Sequence, residues 1–236
     1  MSSGALYLLP AALGESPIET THPAEVCRIA AGLRYFIVEN AKSARAELKR
    51  LAVSQSLRDI DIRVLPRQPA LTDVEGLLAP LLAGESAGLM SEAGCPAVAD
   101  PGAALVSAAH GCGIRVVPLV GPSSILLGLM ASGLNGQSFA FHGYLPVREP
   151  QRSQRIAELE RESRRHGRTQ IFIETPYRNT QLLTALLAAC HSATRLCIAS
   201  ALTTAEESVR TRSVAEWRIA PPPPLDRRPT VFLLLA

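Results

Sequence analysis

The residues of this chain that could do chemistry concentrate in loops that follow predicted strands. Because glycine and alanine leave main-chain N–H and C=O groups uncovered, a ligand can approach the backbone closely in such loops. One of them, Gly121-Pro122-Ser123-Ser124, also opens a predicted helix, whose first amides and hydroxyls suit a carboxylate or a phosphate. Each loop could merely cap a helix, but five in one chain favour a shared binding cleft. The loops cover residues 10–17, 91–102, 120–124, 174–178 and 201–204.

Five side chains at or near predicted strand ends could act as a general base: Glu39, Glu92, Asp100, His142 and Glu174. Each has a structural alternative. Glu92 and Asp100 could cap turns, and Glu174 could pair with Arg178. His142 follows an apolar run, as packed histidines often do.

Several site types are disfavoured by missing motifs. The chain has no Gly-x-x-x-x-Gly-Lys-Ser/Thr phosphate loop and no Gly-x-Gly-x-x-Gly after a predicted strand. A plain nucleotide-binding enzyme is therefore a weak alternative. The five cysteines form no Cys-x-x-Cys pair, and the histidines show no metal-ligand spacing, so we expect reduced thiols and no metal site.

Short apolar or β-branched runs alternate with helical patterns through most of the chain, which predicts an α/β fold with largely parallel sheets. The predicted strands are 5–9, 35–38, 62–65, 88–91, 115–119, 138–142, 170–174, 195–200, 208–213 and 230–235. The predicted helices are 23–33, 43–51, 73–82, 103–112, 123–134, 154–165 and 180–190.

The chain divides near its middle. Five predicted strands precede Gly121-Pro122, a strong chain punctuator, and five follow it. We therefore predict two α/β domains, 1–120 and 121–236, each of ordinary size. The proline run 221–224 is expected to be a stiff extended lead-in to the last strand.

Composition limits the class of protein. Of the 236 residues 47% are hydrophobic and 19% are charged, which excludes a disordered chain. The longest nearly apolar stretch, 125–134, is about half of the ~20 residues that a membrane span needs. Residues 1–4 lack the basic and apolar regions of a signal peptide. We therefore expect a soluble, cytoplasmic protein with no membrane contact.

The small excess of positive charge is unevenly placed. The chain has 24 lysines and arginines against 21 acidic residues, which is too even for a strongly electrostatic nucleic-acid binder. Residues 148–168 hold seven arginines and four glutamates, an excess equal to that of the whole chain. This segment could be a solvated helix with internal ion pairs, or a contact surface for a polyanion such as RNA.

Four motifs follow one another along the chain. They are Ser91-Glu92-Ala93-Gly94-Cys95-Pro96 with Asp100-Pro101-Gly102, Pro118-Leu119-Val120-Gly121-Pro122-Ser123-Ser124, Gly143-Tyr144-Leu145-Pro146, and Glu174-Thr175-Pro176-Tyr177-Arg178. In this order they resemble the motifs of the tetrapyrrole methylase superfamily, and within it those of the ribosomal RNA small-subunit methyltransferase I branch and a related side branch. The resemblance runs nearly end to end, from Leu6-Tyr7-Leu8-Leu9-Pro10 to Phe232-Leu233-Leu234-Leu235.

The resemblance implies two α/β domains with an S-adenosylmethionine (SAM) cleft between them, gripped largely by main-chain groups, and a homodimer. It implies a SAM-dependent methyltransferase. The implied cofactor-binding residues are Pro10, Leu13, Gly14, Ser91, Glu92, Ala93, Gly94, Pro96, Asp100, Pro122, Ser123, Ser124, Tyr144, Glu174, Ala201, Leu202, Thr203 and Thr230. An adenine or substrate ring could also lie against Tyr177.

The chain departs from the ribosomal RNA branch in three places, which affect the methyl acceptor more than the cofactor. Glu39-Asn40-Ala41-Lys42 replaces Glu-Asp-Thr-Arg, and Ala201-Leu202-Thr203-Thr204 replaces Glu-Leu-Thr-Lys. Pro10-Ala11-Ala12-Leu13-Gly14 replaces the opening Thr-Pro-Ile-Gly-Asn. Glu39 is the residue kept from the first motif, so it is the first choice for a catalytic role.

The function predicted from the sequence is methyl transfer from SAM to an acceptor that stays open. RNA, methylated on a ribose 2′-hydroxyl, fits the arginines of 148–168, and a small tetrapyrrole-like metabolite fits the wider superfamily. A ribose hydroxyl would benefit from a general base, whereas a carboxylate or amine would hardly need one. The alternative from another class is a noncatalytic SAM-sensing or RNA-binding module.

Overall fold

The computed structural model describes residues 3–51, 56, 58–221 and 223–236. Met1 and Ser2 of the N-terminal segment 1–4, and Pro222 within the predicted proline lead-in, lie outside the described residues. The chain forms two compact units, Met1–Ser123 and Ser124–Ala236. Among the described residues, no helix has the length and apolarity needed to cross a membrane.

The first unit is a five-stranded parallel sheet with helices on both faces. Its strands are β1 (Ala5–Leu8), β2 (Tyr35–Val38), β3 (Asp61–Val64), β4 (Ala87–Met90) and β5 (Arg115–Pro118), in the order β3-β2-β4-β1-β5. Its α-helices are α1 (Ala24–Gly32), α2 (Ala41–Arg50), α3 (Leu71–Leu82) and α4 (Gly102–Gly111), and a 3₁₀ turn spans Ile18–Thr20.

The sheet of the first unit is buried on both sides, as its apolar strands require. In β2, Tyr35 and Ile37 pack with α3 and α4, whereas Phe36 and Val38 pack with α1 and α2 on the other face. All four residues are buried because a central parallel strand has no face left for solvent. The Tyr35 hydroxyl, which is fully enclosed, donates to the carbonyl of Leu77 at 2.9 Å.

The second unit has a mixed sheet. Its strands are β6 (Phe139–Tyr144), β7 (Thr169–Ile173), β8 (Arg195–Ser200), β9 (Ser208–Ser213) and β10 (Thr230–Leu235), in the order β6-β7-β10-β8-β9. Its α-helices are α5 (Ser124–Ser132), α6 (Gln151–His166), α7 (Asn179–Ala189) and α8 (Val214–Ile219), and a 3₁₀ turn spans Pro176–Arg178.

The prediction of largely parallel sheets is wrong for the second unit. Only β6 and β7 pair in parallel, and the other three pairings are antiparallel. The reason is the short 201–207 connection between β8 and β9, which can close a hairpin but cannot make the crossover that parallel pairing needs. The final strand, β10, then runs antiparallel to both of its neighbours. The α/β fold class is confirmed.

The core of the second unit lies between the sheet and helices α6, α7 and α8. The rings of Phe172 and Phe232 stack at 6.2 Å between centroids, beside Leu159 of α6 and Trp217 of α8. The Trp217 indole N–H donates to the carbonyl of Leu196 at 2.8 Å, which satisfies the polar group of this buried ring. On strand β6, a bulge interrupts the register between Phe141 and Tyr144, where Gly143 adopts φ +62°.

Candidate functional site

The order of strands in the first sheet creates a crevice between β1 and β4. The connection that leaves β1 passes through α1 to β2, whereas the connection that leaves β4 passes through α4 to β5 on the other side. The chain therefore departs in opposite directions from the carboxyl ends of two adjacent strands. Crevices of this kind are where open α/β sheets bind ligands.

The loops that follow β1 and β4 are joined across this crevice. Ala11 and Gly94 form an antiparallel bridge in which each amide donates to the other's carbonyl at 2.9 Å. Gly94 has φ +75°, a conformation that side chains disfavour. The bridge brings the predicted residues Pro10, Leu13 and Gly14 to the same place as the loop from Ser91 to Gly94. The bridge shows directly that the loops after β1 and β4 meet.

The loop after β5 packs against the same two loops. A Cβ atom at Gly121 would lie 2.4 Å from the Cβ of Pro10, so only glycine fits there. The Cys95 thiol donates to the carbonyl of Pro122 at 3.6 Å. Pro122 and Ser123 therefore close the first unit beside the crevice, and Ser124 is the first residue of α5 in the second unit.

Asp100 organises the end of the loop that follows β4. Its Oδ1 accepts hydrogen bonds from the amides of Ala97 and Gly102, both at 2.8 Å. This clamp holds Ala97 and Ala99 at φ 65°, where a non-glycine residue is strained. The other oxygen, Oδ2, is buried and has no hydrogen-bond partner among the described residues. Burial raises the pKa of Asp100 above its ordinary value.

Glu39 and Glu92 meet at the carboxyl ends of β2 and β4. Oε2 of Glu39 accepts a hydrogen bond from the amide of Glu92 at 2.9 Å, and Oε1 of Glu92 accepts one from the hydroxyl of Ser43 at 3.3 Å. Burial is the main cause that raises the pKa of Glu39, and the charges of Asp100 and Glu92 add to it, whereas the hydrogen bond from the Glu92 amide and the charge of Arg67 act in the opposite direction. Three carboxyl groups therefore share this edge of the sheet, which suits a ligand with positive charge.

Three polar residues that the sequence reasoning missed hold the loop after β1. His22 is buried, and its Nε2 donates to the carbonyl of Pro10 at 2.9 Å. Glu47 of α2 accepts from the amide of Ala12 at 3.0 Å, and Arg50 donates to the carbonyl of Ser16 at 2.7 Å. The only sequence signal is the Glu47–Arg50 spacing, which fits one face of a helix.

The predicted residues of the second unit lie along one edge of its sheet. Tyr144 pairs with Ile173 at the ends of β6 and β7, directly before Glu174. Thr230 pairs with Ser200 where β10 begins and β8 ends, directly before Ala201, Leu202 and Thr203. The register thus brings six of the seven predicted residues to the same edge, although they come from four separate segments; the seventh, Ser124, begins α5.

Glu174 is the buried anchor of the loop after β7. Its Oε1 accepts from the amide of Thr175 at 2.6 Å and from the guanidinium of Arg178 at 2.7 Å. Burial acts to raise the pKa of Glu174, but the bonds from Arg178 and Thr175 outweigh it, so the pKa lies below the ordinary value. This geometry matches the structural alternative in which Glu174 pairs with Arg178 across its turn.

The β8–β9 hairpin contains two strained residues. Ala201 has φ 50° and Thr203 has φ 69°, a conformation that costs roughly 1–2 kcal/mol for each residue with a side chain. The Thr203 amide donates to Glu207 at 2.7 Å, and the Ala201 amide donates to the carbonyl of Pro229 at 2.9 Å. The Thr203 hydroxyl oxygen is buried without a partner among the described residues.

The remaining candidate side chains of the second unit divide into packed and exposed groups. His142 Nε2 contacts Oε1 of Gln170 at 2.6 Å, and Arg155 lies 3.4 Å from its Nδ1, an environment typical of a packed histidine. Tyr144 and Tyr177 are 57% and 72% exposed, so either ring is accessible to a ligand.

The arginines predicted as a contact surface differ in their surroundings. Arg152 is buried against Glu149 at 2.9 Å, and Arg155 pairs with Glu158 at 3.0 Å. Arg161, Arg164 and Arg165 are exposed near the end of α6. Two of the seven arginines therefore contribute to the structure of the helix region rather than to a free cationic surface.

The cysteines give no sign of chemistry. All five are free thiols. Burial raises the pKa of Cys190 to about 12 and also raises that of Cys197, so both remain protonated and unreactive. In the part of the chain that the structure describes, no group of three or more His, Cys, Asp or Glu side chains could hold a metal ion.

Sequence comparison finds curated relatives named "Ribosomal RNA small subunit methyltransferase I". The protein of Xylella fastidiosa is 42% identical over 115 residues, 49% of this chain and 41% of that protein. The protein of Mesorhizobium japonicum is 42% identical over 135 residues, 57% of this chain and 45% of that protein. The Escherichia coli O157:H7 protein is 29% identical over 215 residues, 91% of this chain and 71% of that protein.

The matches to the first relatives span a little less than half of their length. No protein-family model matches the chain.

Solved structures with the same fold are also methyltransferases by title. The methyltransferase CobJ gives a TM-score of 0.65 at 19% identity, covering 99% of this chain and 94% of that one. The uroporphyrin-III-C-methyltransferase of Thermus thermophilus gives 0.56 at 18% identity, covering 98% and 92%. Sequence comparison thus confirms the resemblance to the ribosomal RNA small subunit methyltransferase I proteins, and the solved structures confirm the fold.

Proposed function

We propose that the chain is a SAM-dependent methyltransferase that acts on RNA. The observation that carries the proposal is the crevice between β1 and β4, whose two loops are bridged at Ala11 and Gly94 and are bordered by three carboxyl groups. The names of the relatives support methyl transfer and point to RNA as the acceptor.

The residues at this crevice fit SAM in two respects. The cofactor carries a sulfonium and an ammonium, and a cation relieves the repulsion of Glu39 by Glu92 and Asp100, which adds to the effect of burial on the pKa of Glu39. The buried Oδ2 of Asp100, to which none of the described residues donates, can accept a hydrogen bond, such as one from an ammonium or a ribose hydroxyl.

The residues proposed to hold the cofactor are those implied by the resemblance. In the first unit they are Pro10, Leu13, Gly14, Ser91, Glu92, Ala93, Gly94, Pro96, Asp100, Pro122 and Ser123; in the second they are Ser124, Tyr144, Glu174, Ala201, Leu202, Thr203 and Thr230. When bound, the cofactor supplies an electrophilic methyl group for in-line displacement.

Glu39 is the proposed general base. Its Oε2 is held by the Glu92 amide at 2.9 Å, which fixes the orientation of the carboxyl group. Its raised pKa brings it closer to neutral pH, where a carboxylate removes a hydroxyl proton more effectively. A ribose 2′-hydroxyl is the RNA group that needs this help. The Ala11–Gly94 bridge keeps the neighbouring loops in place while the acceptor is aligned.

From the resemblance alone, we also propose that the chain acts as a homodimer in the cytoplasm. Light scattering on the purified protein measures its mass in solution, and a single-chain mass at micromolar concentration contradicts the dimer.

The test of the cofactor is a calorimetric titration with SAM and S-adenosylhomocysteine. Ala93→Arg places bulk and positive charge at an exposed position of the β4 loop, so we expect at least a tenfold loss of affinity. Ser107→Arg, an equally exposed change within α4, is the matched control and should bind as the wild type does. No binding by the wild type, or equal binding by Ala93→Arg, contradicts the proposed site.

The test of turnover is transfer of radiolabelled methyl groups to protein-free small-subunit ribosomal RNA. Radiolabel in the RNA supports methyltransferase activity on RNA. Cofactor binding without label in any cellular fraction favours the noncatalytic module instead.

A further inference from the structure

Helix α2 carries a ridge of three exposed cations: Lys42, Arg45 and Lys49. Their spacing of three and then four residues places them on one face of the helix. From the first to the last, the ridge extends for about 10 Å along the helix axis. We call these three residues the α2 ridge.

No acidic side chain neutralises the α2 ridge. The only acid of the helix, Glu47, is buried and engaged with the amide of Ala12 and with Arg50. Within the described part of the chain, none of the three ridge cations forms an ion pair. Residues 40–58 contain five basic residues and one acid, an excess of four positive charges that is larger than that of 148–168.

Helix stability does not account for Lys42. It lies in the first turn of α2, which holds no acidic residue, and the positive end of the helix dipole disfavours a cation there. The exposed Arg164 and Arg165 of α6, like Lys49 of α2, are different, because they lie in the last turn of their helix, where the dipole stabilises positive charge. A residue that breaks a local rule without structural compensation points to a function.

The α2 ridge begins at the candidate site of the first unit. Lys42 follows the Glu39–Asn40 turn, and the Asn40 side chain accepts from the amides of Lys42 and Ser43 at 2.9 and 3.3 Å. The Ser43 hydroxyl donates to Glu92. Arg67, in the segment after β3, is exposed and close enough to lower the pKa of Glu39. Cations therefore border the carboxyl groups on the side of β2 and β3.

We propose that the α2 ridge and Arg67 bind the phosphate backbone of the RNA acceptor and lead it to Glu39. The RNA as occupant rests on the proposed function. The charge pattern fits a polyanion, because several like charges in a row match successive phosphates. Contacts of this kind position RNA without reading its sequence. The exposed arginines of α6, two of which lie in its last turn, are not needed for binding.

The test compares two triple variants that each remove three positive charges. One is Lys42→Gln/Arg45→Gln/Lys49→Gln, and the matched control is Arg161→Gln/Arg164→Gln/Arg165→Gln on α6. Binding of a fluorescein-labelled, mixed-sequence RNA of about 20 nucleotides is followed by anisotropy over a range of salt concentrations. The ridge variant should bind at least tenfold more weakly. The slope of the logarithm of the association constant against the logarithm of the salt concentration should become shallower by about 2, since each phosphate contact contributes about 0.7 to its magnitude. The control should change affinity less than twofold.

Three results overturn the proposal: unchanged binding by the ridge variant, an equal or larger loss in the α6 control, or no RNA binding by the wild type. SAM titration of the same proteins separates this failure from failure of the proposed function. If the wild type binds SAM but the ridge variant gives one of these results, the proposed cofactor site is kept and the proposed RNA contact of the α2 ridge is rejected.

Circular dichroism checks that the ridge variant folds. In the single variant Lys42→Gln, loss of a cation from the first turn should leave the thermal midpoint equal or higher. If the triple variant does not fold, two single variants, Lys42→Gln and Arg67→Gln, are measured instead. These two single variants should each weaken RNA binding severalfold, and wild-type affinity in both overturns the proposal.

Discussion

At the scale of single residues, the carboxyl group of Glu39 links the structure to the proposed chemistry. Sequence reasoning selected Glu39 from one retained motif position and selected Glu92 and Asp100 from their loops. It could not show that the charges of Glu92 and Asp100 act on Glu39, because Glu39 lies 53 positions before Glu92 and further still before Asp100 in the sequence. His22, Glu47 and Arg50 were missed for the same reason, since their roles depend on contacts that appear only after the sheet and helices have assembled.

Replacing Glu39 with glutamine should separate catalysis from folding. The amide oxygen can still accept the hydrogen bond from Glu92, but it cannot take up a proton. We expect methyl transfer to fall roughly 10²–10⁴-fold, the range for loss of a general base, with SAM affinity kept within a few-fold. Rates at several pH values check the assignment: wild-type activity should rise through the raised pKa of Glu39, and that rise should be absent in Glu39→Gln.

The stability of Glu39→Gln provides an independent control. Because the folded-state pKa is raised, the wild type loses stability as the pH climbs from the unfolded-chain pKa to the folded one. Glu39→Gln avoids that loss, so its thermal midpoint at neutral pH should not be lower than that of the wild type. A clear drop in the midpoint would mean that Glu39 has a structural role. The fall in activity could then not be assigned to the loss of a general base.

At the scale of elements, the sequence was informative about strands and helices and uninformative about some pairings. All ten strands occur within two residues of their predicted ends, because apolar runs bounded by turn residues are a strong local signal. The direction of β9 and β10 was predicted wrongly, since their antiparallel pairing depends on the length of the 201–207 connection. The short helix α8 was also missed, although Ser213 and Glu216 form a capping box at its start.

The loop after β7 should depend on the pair formed by Glu174 and Arg178. Arg178→Gln leaves the buried carboxylate without its charged partner, so we expect a loss of about 1.5–3 kcal/mol in the free energy of unfolding at pH 7. The lowered pKa of Glu174 means that this stabilisation exists above the unfolded-chain pKa and disappears as the pH falls through the folded one. Urea unfolding at pH 7 and near pH 3 measures the difference.

Arg228→Gln is the matched control for this loop. It removes a more exposed pair, in which Arg228 lies 2.9 Å from Glu206, and should cost no more than about 1 kcal/mol. If Arg178→Gln costs as little as Arg228→Gln, or costs the same at both pH values, the buried pair does not anchor the loop.

At the scale of the whole molecule, the hydrophobic cores of the two units are separate. The first unit buries apolar side chains on both faces of its sheet, and the second has its own cluster around Phe172, Phe232 and Trp217. Trp217 is the only tryptophan, so its fluorescence reports on the second unit alone.

Leu159→Ala should therefore destabilise one unit selectively. Leu159 is fully buried in the second core, and its truncation should cost about 2–5 kcal/mol. We expect the urea midpoint from Trp217 fluorescence to fall while far-UV circular dichroism becomes biphasic, because the first unit keeps its own stability. A single transition that coincides in both signals would show that the units unfold together.

The four edge strands of the two sheets differ in how they resist aggregation. Charged residues or proline occupy three of them: Asp61 and Arg63 in β3, Arg115 and Pro118 in β5, and Arg210 and Arg212 in β9. The fourth, β6, contains none of these and has two phenylalanines, so its open backbone is the best template for a stray strand. The bulge near Gly143 interrupts that template. Aggregation through β-pairing during refolding should therefore start at β6, and the bulge opposes it by breaking the regular row of backbone hydrogen-bonding groups.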